Sequence, residues 1–118
     1  MKLPQGQNVD PKQVREKLVT YSLNFQHDSG KHKARLFQSK LGITLENKEI
    51  LVSAICDAAI TSESVQFTGK DQHGDRYVII FYLSTEVGES DILTAWMIRH
   101  GEFVPRLTST YPVRSEKN

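Results

Sequence analysis

The hydrophobic repeat of this chain changes once, near Ser62, and that change limits the fold classes open to it. Before Ser62 the apolar residues recur at helical spacing. Val14, Leu18 and Tyr21 share one face, Leu36, Phe37 and Leu41 supply a second stripe, and Ile50, Leu51, Ala54, Ile55 and Ala58 a third. After Ser62 the period becomes two: Val65 and Phe67 alternate with polar neighbours, and Tyr77–Leu83 is a continuous β-branched and aromatic run. Helices followed by strands joined by short turns give an α+β domain, with about three N-terminal helices packed on one face of a four-stranded antiparallel meander sheet.

The boundaries follow from local chemistry. Asp10-Pro11-Lys12-Gln13 starts the first helix as a capping box, with Val9 and Val14 as its hydrophobic staple, and the helix is expected to run to about Leu23. A second helix covers about Lys31–Leu41 and stops at Gly42, which takes the left-handed cap while Ile43 folds back on Phe37. The third begins near Asn47. Turns at Asp71–Asp75 and Glu86–Glu89 lead to strands over about Ile92–Arg99 and Phe103–Thr110. The 118 residues are expected to form a single domain, 1–118, with an ordered core of about 9–112 and a frayed tail at 113–118.

Charge narrows the partners. The net charge is +1, yet residues 1–42 hold eight Lys and Arg against three Asp and Glu, and residues 43–118 hold seven against eleven. Such a chain either offers a basic face to an anion or merely carries two solvated halves. The one cysteine, Cys56, excludes a disulfide framework and a cysteine zinc site and is expected to be an inert thiol. No stretch approaches transmembrane length and no signal-peptide core is present, so the location expected is cytoplasmic, with no membrane contact. The histidine spacings match no metal-ligand signature, so neither metal nor other cofactor is expected.

The second helix breaks a local rule. Its first turns carry Lys31, Lys33 and Arg35, where the dipole disfavours cations by about 0.3–1 kcal/mol each. An anion held by the free backbone amides there would explain them. At 100° per residue, Lys31 and Arg35 project away from the apolar stripe and His32 lies on an exposed flank, whereas Lys33 flanks the stripe one turn before Phe37. Lys33 either snorkels past the core or is aimed at a bound anion. His27, in the preceding loop, is a proton-transfer candidate near neutral pH or else a loop hydrogen-bonding residue. His73 and His100 fall in turns with no such role.

The last strand, Pro105-Arg106-Leu107-Thr108-Ser109-Thr110-Tyr111-Pro112, is the other notable segment. Simple alternation places Arg106, Thr108 and Thr110 on one face. If Leu93, Ala95 and Met97 of the preceding strand face the helices, then Thr94 and Trp96 join that exposed face. A guanidinium, hydroxyls and an aromatic platform would suit a phosphate and a stacked base. The alternative is an edge strand protected by Pro105 and Arg106.

Four segments together carry a resemblance: His27…Gly30…Lys33-Ala34-Arg35…Phe37, Leu41-Gly42-Ile43-Thr44, Thr94-Ala95-Trp96-Met97-Ile98 and Pro105-Arg106-Leu107-Thr108…Tyr111-Pro112. They resemble a bacterial family of small domains of unassigned function, which occur alone, including in cyanobacteria, and near the C-termini of adhesin-like toxins. Asp28 stands where that family often has proline. The order of elements is also similar to the barnase–EndoU–colicin–RelE group of small ribonucleases. That likeness implies a metal-independent, toxin-type ribonuclease acting through 2′-hydroxyl attack. His27 would then be base or acid, and Lys33 and Arg106 the phosphate and transition-state cations. Thr108 and Thr110 would be hydroxyl donors, Tyr111 a second proton donor and Trp96 a stacking surface, with Lys31, His32 and Arg35 binding nucleic acid.

RNA and a cognate antitoxin or immunity protein are the partners implied, for a monomer or small homo-oligomer. The alternative is a non-catalytic binding or accessory module, such as a toxin-system partner or an oligomer-forming domain. Catalysis requires Lys33, Arg106 and, at the rim, His27 to open onto one concave region. A binding module needs only a continuous patch.

Overall fold

Asp10 starts the first helix by accepting the Lys12 amide on its carboxylate at 2.9 Å, and Pro11 follows where no amide partner is needed. In the computed structural model, which describes residues 1–113, helix α1 spans Pro11–Lys17. The helix does not continue regularly to Leu23: Leu18–Ser22 widens into a π-helical turn. Gln13 does not close the capping box either. Its amide group instead bonds both backbone groups of Leu107, donating at 2.9 Å and accepting at 2.8 Å. The side chain thereby acts as a short surrogate strand against an otherwise open sheet edge.

Helix α2 spans Gly30–Leu41 and buries Ala34, Phe37 and Leu41. Leu36 stays largely exposed. Gly42, at φ 67°, ends the helix as expected, and the Gly42 and Ile43 amides return to the carbonyls of Gln38 and Phe37. Helix α3 spans Glu49–Thr61 and begins two residues after Asn47, because Leu45–Asn47 forms a separate 3₁₀ turn capped by Thr44. Its buried stripe is Leu51, Val52, Ile55, Ala58 and Ala59, whereas Ile50 faces solvent. Arg15 of α1 holds Glu49 of α3 through two bonds of 2.7 and 2.8 Å, raising the guanidinium pKa and lowering that of the carboxyl.

Four strands follow: β1 Gln66–Asp71, β2 Gly74–Ser84, β3 Glu89–Arg99 and β4 Arg106–Val113. They form one antiparallel sheet in the order β1-β2-β3-β4, so the chain is an α+β fold with a meander sheet. Strand β4 starts three residues later than expected, after Pro105, which has no amide to donate to a ladder. Val113 closes β4, and the rest of the expected frayed tail lies outside the described residues. No helix among the described residues is long and apolar enough to cross a membrane.

Two sequence-based face assignments are corrected. The face of β3 that meets the helices carries Ile92, Thr94 and Trp96, each at most 1 % exposed, rather than Leu93, Ala95 and Met97. Thr94 can be buried because its hydroxyl donates to the Ile79 carbonyl at 3.0 Å and accepts from Trp96 Nε1 at 2.8 Å. In β4 an extra residue enters the ladder between Leu107, paired with Trp96, and Ser109, paired with Ala95. That residue is Thr108, and past it the alternation is offset. Arg106 and Thr110 therefore lie on opposite faces of the sheet.

Candidate anion-binding groove at the sheet edge

The groove starts from the π-helical turn. Widening the backbone by one residue per turn carries Tyr21 toward the start of α2, and π segments of this kind recur at functional sites. Gly30 permits the approach, since any Cβ there would overlap the Tyr21 carbonyl. Across this contact the Lys33 ammonium donates to the Tyr21 hydroxyl at 2.8 Å. It also lies 4.7 Å from the Tyr21 ring centre and 5.5 Å from that of Tyr111 in β4. Lys17 adds a second ammonium 5.8 Å from the Tyr21 ring. The side chain of Lys33 thus crosses the apolar stripe and presents its charge at the β4 edge. Tyr21 accepts from Lys33 and keeps its own hydroxyl proton to donate.

Further along the edge, α1 and the sheet enclose a cavity of about 170 Å³, lined by Gln13, Glu16, Lys17 and Thr20 on the helical side and by Met97, Arg99, Arg106, Leu107 and Thr108 on the strand side. This is well below the ~300–1,000 Å³ of sites that engulf a small molecule. It suits one group of a longer ligand lying along the edge. Lys17 joins the two parts, because it lines this cavity and also stands over Tyr21. The ion pairs among the described residues are Arg15–Glu49, Lys70–Asp75 and Arg76–Asp71. None of Lys17, Lys33, Arg99 and Arg106 is in such a pair.

The predicted site residues divide between this groove and elsewhere. The Lys33 ammonium lies near both the Tyr21 and Tyr111 rings, and Arg106 and Thr108 line the cavity, where the Thr108 hydroxyl donates to the Ala95 carbonyl at 3.1 Å. Lys33 is not on the cavity lining. The expected convergence with Arg106 is therefore two stations on one edge rather than a single pocket. Thr110 is withdrawn from the site: it is fully buried and donates to the Leu93 carbonyl at 2.8 Å. Trp96 is likewise no stacking surface, being 1 % exposed in the core. His32 and Arg35 are exposed and Lys31 is half-exposed on α2, none of them on the cavity lining.

His27 has a structural task. Its Nδ1 accepts the amides of Ser29 at 3.1 Å and Gly30 at 3.0 Å, and its carbonyl accepts that of Lys31 at 2.9 Å. The imidazole therefore caps α2 in the role usually taken by Ser or Asp. This argues against the expected anion at the start of that helix, because its first two amides, Gly30 and Lys31, are already bonded within the chain, as is that of Ser29 before them. With Nδ1 accepting, the ring proton sits on Nε2, and His27 is set up as a donor rather than a base. Its ring packs edge-on against Tyr21 at 4.8 Å between centroids. Cys56 is half-buried, and burial pushes its thiol pKa upward, away from nucleophile behaviour.

Tyr21, Lys17, Glu16 and Arg99 were not singled out from the sequence. Tyr21 reads as one more apolar position of α1, and only the π turn brings it to Lys33. The exposed aromatic nearest the cavity in sequence is Phe103, 79 % exposed and three residues before Arg106.

These observations define an α+β domain with unpaired cations and tyrosines along one sheet edge. The chain matches, over residues 2–114, the family described as a domain of unknown function, DUF6883, and belongs to that family. No curated protein and no solved structure matches it.

Proposed function

We propose that the groove binds the sugar–phosphate backbone of RNA and cleaves it without a metal, by attack of the 2′-hydroxyl on the adjacent phosphorus. The observation that carries this reading is the row of unpaired cations, Lys33, Lys17, Arg99 and Arg106, beside a tyrosine with a free proton and a single carboxylate, Glu16. Cations without carboxylate partners in a concave strip favour a bound polyanion. In the cleavage step Glu16 takes the 2′-hydroxyl proton as the new P–O bond forms. Arg106, Arg99 and Lys17 stabilise the dianionic phosphorane. The departing 5′-oxygen takes a proton from solvent water as that P–O bond breaks, while Lys33 and Tyr21 hold the neighbouring phosphate of the strand. Phe103, exposed and three residues before Arg106 in the chain, is the aromatic we assign to base stacking in place of Trp96. The resemblance to toxin-associated bacterial domains, and the similarity of the helix-then-meander order to that of small ribonucleases, favour the same reading and imply a neutralising antitoxin or immunity protein as partner.

A second reading, a non-catalytic module that only binds RNA or a toxin-system partner, is favoured by one observation: the imidazole expected to move protons is occupied as a helix cap. Incubation with RNA in the presence of a chelator separates the two. Cleavage is expected to persist, to fall about 10²–10⁴-fold in Glu16→Gln and by a comparable factor in Arg106→Ala, whereas Lys33→Ala should act mainly by weakening binding. Arg35→Ala should leave the chemical step unchanged. His27→Asp, which retains a helix-capping acceptor, should keep most activity. Binding without cleavage in the unmodified protein would establish the module instead, and loss of activity in a folded His27→Asp would return the proton-transfer role to the imidazole.

A further inference from the structure

The sheet has a second face, whose centre stays open to solvent; at its arginine end α1 approaches, and Met97 there is only 9 % exposed. Register places Val78, Ile80 and Tyr82 of β2, Leu93 and Ala95 of β3 and Val113 of β4 on that side, opposite the buried Ile79, Ile92 and Trp96. Ile80 is 46 % and Tyr82 59 % exposed. On an isolated meander one face is ordinarily polar. Here the two central strands are apolar at mid-face, with Gln66, Ser109 and Tyr111 beside them on the outer strands, and the charges are confined to the two ends. Arg76, Arg99 and Arg106 lie at the end near the β1–β2 and β3–β4 turns, with Asp71 paired to Arg76. Glu89 and Asp91 lie at the opposite end, beside the β2–β3 turn.

We infer that this face is the interface of a symmetric homodimer, in which two sheets stack face to face about a two-fold axis lying in the interface and crossing the strands near Ile80 and Leu93. That axis reverses the strand direction. It brings the arginine end of one copy over the Glu89 and Asp91 end of the other, twice. An axis parallel to the strands would set like charges together, so the charge pattern selects one of the two arrangements. The area is adequate. At about 4.8 Å between strands and about 3.3 Å per residue, four strands of this length cover roughly 600 Å² per copy. Two copies give about 1,200 Å², above the ~1,000 Å² that a specific interface needs. Aligned sheets packed about 10 Å apart are the ordinary way to bury such a face.

Arg99 and Arg106 also border the edge groove, so dimer and phosphodiester draw on the same cations. The dimer nevertheless rests on the sheet face alone. Sedimentation of the full chain across the micromolar range, without nucleic acid, tests it. A monomer–dimer equilibrium is expected, weakened by added salt. Ile80→Glu should weaken it at least ~30-fold, the size of a central interface hot spot. Because Ile80 is already exposed, circular dichroism should show that variant folded. Glu89→Lys and Arg99→Glu should each weaken the dimer, and the two together should restore part of the loss, since the swapped charges again face one another across the axis. A chain that stays monomeric at every concentration overturns the inference, as does a dimer indifferent to Ile80→Glu. A short RNA oligonucleotide should shift the population toward monomer. That arm reports on the groove, and its failure with an intact dimer would count against the proposed function only.

Discussion

At the scale of single residues, one polar side chain is repeatedly spent on backbone that would otherwise be unpaired. Gln13 supplies both partners for Leu107 on the β4 edge, His27 caps α2, and Thr94 satisfies Ile79 and Trp96 in the core. Asp71 does the same at the β1–β2 turn. Its carboxylate accepts from Arg76 at 2.6 Å and from the His73 amide at 2.8 Å, which lowers its pKa from the ordinary ~3.9 to about 2. The sign follows directly. A carboxyl with a depressed folded pKa contributes stability above its unfolded value, and that contribution is lost as pH falls from about 4 through about 2. Asp71→Asn is therefore expected to lower stability at neutral pH and to show a shallower acid loss over that window. Urea denaturation of both proteins between pH 2 and 7 checks it. Parallel curves would mean that solvent screens the exposed carboxylate and that it contributes nothing specific.

Elements were legible in proportion to how local their causes are. The α+β class, the helix stop at Gly42, the cap at Asp10 and the internal run Tyr77–Leu83 all follow from nearest neighbours and period. What escaped depended on distant partners. The faces of β3 were exchanged because both carry apolar residues, and an alternating pattern with two greasy sides does not say which is inside. The offset in β4 needed the pairing with Ala95 and Trp96, since nothing in Leu107-Thr108-Ser109 marks an inserted residue. Of the candidate site, Arg106 and Thr108 line the cavity and Lys33 and Tyr111 stand apart from it at Tyr21's end of the edge, not in the single concave region expected. Tyr21 was hidden by the π turn, an irregularity that an unbroken 3.6 period cannot signal. That turn also buries Ser22, whose hydroxyl is the only buried side-chain polar atom among the described residues without a hydrogen-bond partner. Removing an unsatisfied hydroxyl relieves its desolvation cost. Ser22→Ala is therefore expected to be stabilising by about 1 kcal/mol, measured as an increased urea midpoint at unchanged slope. A loss of stability would show that the hydroxyl is satisfied in solution and that the π turn is held by it.

At the scale of the whole molecule, the charge separation in the sequence becomes a spatial one only in part. The basic N-terminal segment contributes Lys17 and Lys33 to the groove, but Arg99 and Arg106 come from the otherwise acidic half. Folding therefore gathers cations from both halves onto one edge, and a single near-neutral domain can hold a polyanion without being basic overall. The consequence is quantitative. If these four cations each displace one counterion from single-stranded RNA, the logarithm of the association constant should fall with the logarithm of salt concentration at a slope of about −3. Affinity should then drop roughly 50-fold between 50 and 200 mM salt. Removing one groove cation, as in Lys17→Ala, should reduce the slope by about 0.7, whereas Arg35→Ala, outside the groove, should leave it unchanged. Fluorescence anisotropy of a labelled oligonucleotide measures both. Equal small changes for the two variants would describe a diffuse basic surface, and a slope near zero would remove the sheet edge as a phosphate-binding strip.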